Sequence, residues 1–331
     1  MRRLVVLVAL VAAGAAVAPS AAASGDGPGS LRVVNFNVLH GVICSPESDG
    51  CQLPDRMELL GRRLLEASCP EVVGLQEVSG RVYDLVEALP AIDECGYEIV
   101  LARPKAIDQE VVLTTLAVGS TKVVKLSGFR TASRVELTSD LGPVVLVVTH
   151  QDGDPEPGET GADATCKKKV CPKVCEPGSP FLGCQTTVAA DLAEKVKGKR
   201  AIRILMGDFN VTPASARYAS LVDDGWTDTH LAAGNPECDA ATGAGCTSGR
   251  RDDVVDDMKD PNSRQSQRID FIFVKAPRSC EASFDPDADA DADGLGTGIW
   301  DDPVVDGPGG MAFVSDHSAT SVDLTCEGSG T

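Results

Sequence analysis

The feature that most restricts this chain is a series of short apolar runs, each meeting a carboxylate, an amide or an imidazole. "LRVVNFNV" (31–38) reaches Asn37, "EVVGLQEV" (71–78) runs into Glu77, and "GPVVLVVTH" (142–150) stops on His150. "AIRILMGDFN" (201–210) ends on Asp208 and Asn210, "RIDFIFV" (268–274) holds Asp270, and "MAFVSDHSATSVDLT" (311–325) holds Asp316 and His317. Alternating or β-branched apolar residues over such lengths read as strands. "EVVLTTLAVG", "TKVVKLSG" and "SRVELTS", between 110 and 139, add three more. Helical spacing lies between them: Met57, Leu60, Leu64 and Leu65 within 54–67, then "RVYDLVEALP" (81–90) and "TTVAADLAEKVKG" (186–198). No repeat or linker divides this alternation, so a single α/β domain is predicted.

The ends of the runs carry the chemistry. In an extended segment, residues i and i+2 point the same way. Asp208 and Asn210 would therefore project together, with Phe209 turned away, although Gly, Asp, Asn and Pro are also ordinary turn residues. The chain has four histidines. Two of them, His150 and His317, lie at or beside strand ends. The other two, His40 and His230, read as structural.

The N-terminus carries a different signal. Arg2-Arg3, an apolar stretch from Leu4 to Ala18, and the small residues Ala21-Ala22-Ala23 form a secretory pattern. Cleavage is expected after Ala23. The apolar run is shorter than the about 20 residues that a spanning helix needs. A secreted, extracellular protein without stable membrane association is expected, with residues 24–30 as a short linker and 31–327 as the domain.

Twelve cysteines, an even number and all beyond the signal, predict disulfides in an exported chain. Proximity pairs Cys44 with Cys51, Cys69 with Cys95, Cys238 with Cys246, and Cys280 with Cys326. Cys166, Cys171, Cys175 and Cys184 would pair among themselves. Zinc at these four is the alternative, although their spacings lack the usual CxxC pairs.

Two segments interrupt the pattern. Residues 151–184 form a Pro/Gly/Cys-rich insert containing Lys167, Lys168, Lys169 and Lys173. An acidic loop, 285–302, places Asp289, Asp291 and Asp293 before Gly294, the first half of a calcium loop. Trp300 stands where that loop's bidentate acid is expected. A structural Ca²⁺ site and a solvated acidic loop both fit.

Taken in order, "VVNFNVLHG", "PEVVGLQEV", "VVLVVTH", "ILMGDFNVTP", "RIDFIFV" and "SDHSAT" resemble the endonuclease/exonuclease/phosphatase superfamily, the fold of DNase I, exonuclease III and bacterial sphingomyelinases. The resemblance spans about residues 31 to 325. The insert, the acidic loop and Glu71, where Asp is frequent, depart from it. It implies an α/β (α+β), four-layer sandwich of two packed mixed β-sheets flanked by helices, with the site at one edge. It also implies Mg²⁺ or Mn²⁺, with Glu77, Asn37 and Asp316 as ligands, which suits a hard cation that prefers oxygen.

By the same resemblance, His317 is the base, supported by Asp270, and Asp208 orients the attacking water or itself acts as base. Asn210 donates to a phosphoryl oxygen. His150 hydrogen-bonds the phosphate or protonates the leaving group, with Glu110 as one candidate to orient it. The expected activity is metal-dependent hydrolysis of a phosphodiester.

Fold does not choose the substrate. A formal charge of −19 argues against a general nucleic-acid coat, but not against a local cationic patch. Between 166 and 203, nine Lys/Arg stand against three acids. With few aromatic residues and no aromatic loop to enter a bilayer, this favours nucleic acid over a sphingolipid or an inositol phosphate. A reading of another class is a calcium-dependent extracellular binding protein on a hydrolase scaffold. The intact set of strand-end groups argues against it.

Overall fold

The strands run in chain order as β1 (Ser30–Asn37), β2 (Val72–Gln76), β3 (Glu98–Val100), β4 (Val111–Thr114), β5 (Ala117–Lys125), β6 (Thr131–Ser139) and β7 (Gly142–His150). There follow β8 (Ile202–Asp208), β9 (Thr227–Asp228), β10 (Asp270–Lys275), β11 (Glu281–Phe284), β12 (Gly298–Trp300) and β13 (Ala319–Glu327). The helices are α1 (Asp49–Glu66), α2 (Gly80–Glu87), α3 (Pro90–Cys95), α4 (Phe181–Glu194), α5 (Ala216–Asp223), α6 (Thr229–Ala232) and α7 (Val255–Lys259). This computed structural model describes residues 29–42, 44, 49–101, 108–127, 129–153, 181–195, 200–251, 255–284 and 296–327. The secretory segment, Lys167, Lys168, Lys169, Lys173, Asp289, Asp291 and Asp293 lie outside the described residues.

Two mixed sheets result. The first has the order β11-β13-β1-β2-β4-β3, with β12 also on β13; the second has β5-β6-β7-β8-β10-β9. Each contains one parallel pair, β1/β2 and β7/β8, while the other pairings are antiparallel. A parallel pair needs a crossover. Here α1 lies between β1 and β2, and α4 between β7 and β8.

The two-residue period of the strands builds the layers. Leu31 and Val33 on β1, with Val72 and Val112, meet Val135, Val144, Leu146, Ile204 and Met206 of the other sheet. Their neighbours Val34, Phe36, Val73 and Leu75 turn outward onto Leu60 and Leu64 of α1 and Val82 of α2. On the far side, Val147, Leu205, Phe271 and Phe273 pack on Val188, Ala189 and Leu192 of α4. Helix, sheet, sheet and helix thus make four layers, as the resemblance implies. Close packing between the sheets also explains Gly74 in β2: a Cβ there would run into the side chains of Met206 and Val148.

Several local features differ from the sequence expectation. The run 110–119 is not one strand. β4 belongs to the first sheet and β5 to the second, so the chain changes sheets at Thr115–Leu116. The predicted linker gives up Ser30 to β1, and α4 begins five residues before the predicted helix, at Phe181. Within the acidic segment, Gly298–Trp300 pairs with β13. α1 starts with Gly50, Cys51 and Gln52 in left-handed conformation and becomes regular from Leu53, where Pro54 fits a first turn.

All four short-range disulfides form: Cys44–Cys51, Cys69–Cys95, Cys238–Cys246 and Cys280–Cys326. Cys184 is disulfide-bonded as well, which removes one thiolate from the alternative zinc set. Its three companions lie outside the described residues.

Candidate active site

The strand registers assemble the site. His150 and Asp208 are paired residues at the ends of parallel β7 and β8, and Asp270 at the start of antiparallel β10 pairs with the same Asp208. In the first sheet, β1 ends on Asn37, β2 ends one residue before Glu77, and β13 begins two residues after His317. The sheets bring these ends to one edge. The backbone is specialised there: Leu39, Glu77 and Asn210 all have positive φ (52°, 61° and 52°). Positive φ at non-glycine residues costs free energy and concentrates at functional sites. Gly207 is required for another reason, because a Cβ would collide with the Thr149 carbonyl on β7. Glycine there lets Asp208 sit against His150.

Asp208 is the hub. Its Oδ2 accepts from Asn37 Nδ2 at 3.1 Å and lies 3.4 Å from His150 Nε2 and 3.9 Å from His317 Nε2. Its Oδ1 accepts from the Asn210 backbone N–H at 2.8 Å, closing a tight Asx-type turn. Asn37 Nδ2 also donates to Glu77 Oε1 at 3.1 Å, so one amide nitrogen lies between two carboxylates. On the other side, His317 Nδ1 is 2.8 Å from Asp270 Oδ2, and its Nε2 is 4.0 Å from Asp316 Oδ2.

These groups perturb one another's protonation. Burial drives Asp270 up to about 6, against the pull of His317. Burial opposes charge on His317, yet Asp270 and Asp316 outweigh it and hold the imidazole well above its usual value. For Glu77, burial is outweighed by His150, His40 and the hydrogen bonds from His40 and Asn37, so its carboxyl is held below the ordinary range. His150 also feels burial first, but Asp208 and Asp108 pull it upward while Arg130 opposes them.

Residues not singled out in the sequence support this cluster. Thr247, fully buried, accepts through Oγ1 from the backbone N–H groups of Ile269 and Asp270, and its carbonyl accepts from Ser318 N at 2.8 Å. It therefore ties Asp270 of one sheet to the His317 segment of the other, directly beside the Cys238–Cys246 bond. Arg56 on α1 donates to the carbonyls of Val38, Leu39 and Val314, bracing the chain after Asn37 and before Asp316. His40 reads differently from the sequence expectation. Its backbone N–H donates to Glu77 Oε2 at 3.1 Å, and its Nε2 is 3.5 Å from the same oxygen. His230 Nε2 lies 2.8 Å from the Pro236 carbonyl oxygen.

Glu110 does not orient His150. Its Oε2 accepts from the hydroxyls of Thr131 and Ser133, and Asp108, two residues earlier, lies beside the imidazole instead. Nor does Asp270 pair with Arg268, which is taken by Asp228 and Glu237. Asn210 Nδ2 donates to the Gln151 carbonyl at 2.9 Å and stands 3.2 Å from His150 Nε2. The strand-end residues predicted from sequence therefore converge, and no single motif in the sequence marks Asp108, Arg130 or Thr247.

A profile of the Endonuclease/Exonuclease/phosphatase family matches residues 34–317, from β1 to His317. The chain belongs to that family. Its members are phosphoester hydrolases, typically dependent on a divalent metal. Among solved structures, truncated TDP2 from Caenorhabditis elegans is similar at 17% identity and a TM-score of 0.59, covering 90% of this chain and 98% of that one. D. rerio TDP2 in complex with a single-strand DNA product is similar at 14% identity and TM-score 0.57, covering 89% and 99%. A mannosyl-6-phosphatase from Bacteroides thetaiotaomicron reaches 19% identity and TM-score 0.59, covering 89% and 99%. At such identities the likeness concerns the fold. No match was found among curated protein sequences.

A divalent cation fits the donor chemistry of the family site. Glu77, Asp208, Asp270 and Asp316 place four carboxyl groups around two imidazoles, and oxygen donors of this kind suit Mg²⁺ or Mn²⁺. Asp208, Asp270 and His317 bring ligand atoms within 4.8 Å of one another. Asp270 Oδ2 and His317 Nδ1 are already joined, however, so this trio serves better as a proton-handling group than as a cage. Glu77 and Asp316 add carboxylate oxygens suited to an ion, while Asn37 turns its Nδ2 toward Glu77 and Asp208 and its Oδ1 accepts from Leu39 N at 3.1 Å.

Proposed function

We propose that this protein is a secreted, metal-dependent phosphodiesterase whose preferred substrate is nucleic acid. The observation that carries the reading is the convergence of Asn37, His150 and His317 on a single oxygen, Asp208 Oδ2, at 3.1, 3.4 and 3.9 Å. A carboxylate flanked by two imidazoles and an amide can hold a water against a phosphorus centre. His317 Nε2 takes the proton from that water as it attacks. Asp270, bonded to Nδ1, fixes the tautomer and stabilises the imidazolium. Asn210 and His150 face the phosphoryl and leaving oxygens. Asn37, Glu77 and Asp316 would hold Mg²⁺ or Mn²⁺, which supplies neutralisation of the phosphate charge when bound.

Support for a polyanionic substrate comes from where the lysine-bearing insert is attached. Asp152 N donates to Gln185 Oε1 at 3.0 Å, and Gln185 Nε2 donates back to Asp152 Oδ2 at 2.9 Å. This clasp joins the chain just before and just after residues 154–180, two residues from His150. The apparent signal at residues 1–23 and the disulfides support export into an oxidising compartment. The deciding experiment offers the purified protein plasmid DNA, RNA, sphingomyelin, inositol phosphates and a sugar phosphate, with Mg²⁺ and with EDTA. Metal-dependent cleavage of nucleic acid is expected. Turnover of the sugar phosphate alone would make the protein a phosphomonoesterase, and turnover of none would remove the reading.

A further inference from the structure

The two site histidines are backed by groups of opposite charge. Behind His317, Nδ1 meets the Asp270 carboxylate at 2.8 Å. Behind His150, Nδ1 meets a guanidinium: Arg130 Nη1 lies 2.5 Å away, and the nearest carboxylate there, Asp108 Oδ2, is at 3.5 Å. Arg130 sits just before β6 and is anchored from its far side. The same Nη1 donates to Asp108 at 2.7 Å, Nε donates to Asp152 at 3.3 Å, and the Arg130 carbonyl accepts from Leu126 N and Ser127 N. A guanidinium has only donors. At that distance the nitrogen it faces must accept, and the proton of a neutral ring then resides on the other nitrogen.

We propose that Arg130 is a positioning residue that holds His150 as the neutral Nε2–H tautomer, making it a hydrogen-bond donor to a phosphoryl oxygen and not a proton donor. This rests on the phosphoesterase reading of the same site. The carboxylates Asp208 and Asp108 pull the ring toward protonation. An imidazolium, however, would press a second N–H against the Arg130 donor, and among the described residues no carboxylate comes closer than 3.4 Å to either ring nitrogen. The Nε2–H instead has Asp208 Oδ2 as acceptor at 3.4 Å; Asn210 Nδ2 also stands 3.2 Å from Nε2 but donates to the Gln151 carbonyl at 2.9 Å, and the much shorter Arg130 contact decides which ring nitrogen is bare. The site thus contains one histidine built to take a proton and one built to keep it. A neutral imidazole acting as an electrophile is chemically sound where another group carries the proton traffic.

The test reads the ring directly. With four histidines in the chain, ¹⁵N-histidine labelling and long-range ¹H–¹⁵N correlation distinguish the protonated from the bare nitrogen, and loss of one signal in His150→Gln assigns it. Wild type should show His150 with a bare Nδ1 and a protonated Nε2. Arg130→Met should move the proton to Nδ1, toward Asp108, or protonate both nitrogens. Arg130→Lys, which still presents a donor, should keep the wild-type pattern. With a small phosphodiester, Arg130→Met should lose about 10²-fold in kcat with little change in KM, the scale of removing one oxyanion donor, and Arg130→Lys should recover part of it. A protonated Nδ1 in the wild type, or an unchanged tautomer and kcat in folded Arg130→Met, overturns the assignment. The spectrum needs no substrate. A bare Nδ1 in a protein that cleaves no phosphoester would sink the functional reading while leaving the tautomer in place.

Discussion

His150 and Asp208 are register partners on adjacent parallel strands, and their side chains meet with Nε2 3.4 Å from Oδ2. The same Asp208 is the register partner of Asp270 on its other side. Three site residues are therefore fixed by backbone hydrogen bonding in one sheet. Asn37, Glu77, Asp316 and His317 are delivered by the other sheet. The groups that would hold a cation come from one sheet, whereas the His317–Asp270 pair joins the two, so the contact between the sheets sets its geometry.

Replacing His317 with Ala should reduce turnover of a phosphodiester by about 10²–10⁴-fold, the usual contribution of a general acid or base. Asp270→Asn should reproduce much of that loss, because an amide facing Nδ1 cannot stabilise the imidazolium. Thermal unfolding should change little in either variant. Steady-state kinetics beside a melting curve checks this, and wild-type kcat in folded His317→Ala would falsify the assigned base.

Arg56 is fully buried and donates to five backbone carbonyls: Val38, Leu39, Gly50, Cys51 and Val314. Burial lowers its guanidinium to about 10, still charged at neutral pH. Arg56→Met would strand those acceptors, each unsatisfied buried group costing about 1–3 kcal/mol. A loss of several kcal/mol is expected in a denaturant titration, with Arg56→Lys in between because one ammonium reaches fewer carbonyls. If Arg56→Met unfolds at the wild-type midpoint, the carbonyl cluster is not held by this side chain.

Much of this architecture is legible in the sequence because strand periodicity and chemistry coincide. β1, β7 and β8 are largely apolar and each stops on a functional group, so the same residues announce both the strand and the site. Each of these four disulfides joins cysteines consecutive in the sequence, so proximity is a sound guide. What escapes has no local signature. Asp108 and Arg130 are 22 residues apart, and only the pairing of β6 with β7 brings Arg130 to His150. Thr247 looks like any loop threonine until Asp270 and His317 are seen on either side of it. The sheet change after β4 likewise depends on tertiary packing, because Thr115 and Leu116 have no breaker character of their own.

Glu110 gives a pH signature to stability. Its carboxyl is fully buried and is driven up by burial to about 7, from an ordinary 4.5, despite the hydroxyls of Thr131 and Ser133. The folded state therefore binds this proton more tightly than the unfolded chain. The contribution is fully present below about 4.5 and is lost as pH rises through about 7. Glu110→Gln keeps an acceptor for both hydroxyls and does not titrate. Its stability relative to wild type should rise between pH 5 and pH 8, by about 3 kcal/mol at most. Melting temperatures of the pair at both pH values decide it, and a constant difference would show that Glu110 ionises freely when folded.

The insert supplies the last prediction, and it concerns substrate choice. Asp152 and Gln185 clasp each other through two hydrogen bonds, and Asp152 also accepts from Arg130, which touches His150. This clasp joins the described chain on either side of residues 154–180, beginning two residues from His150. Lys167, Lys168, Lys169 and Lys173 are tethered there in a chain whose formal charge is −19. Neutralising all four to Gln should raise KM for DNA and flatten its dependence on salt, since fewer counterions are released on binding. A role for the lysines in holding the polyanion predicts that kcat and KM for a small phosphodiester stay near wild type. A parallel loss on both substrates would assign the lysines to folding instead. Wild-type kinetics on DNA across the salt range would leave the preference for nucleic acid without its electrostatic support.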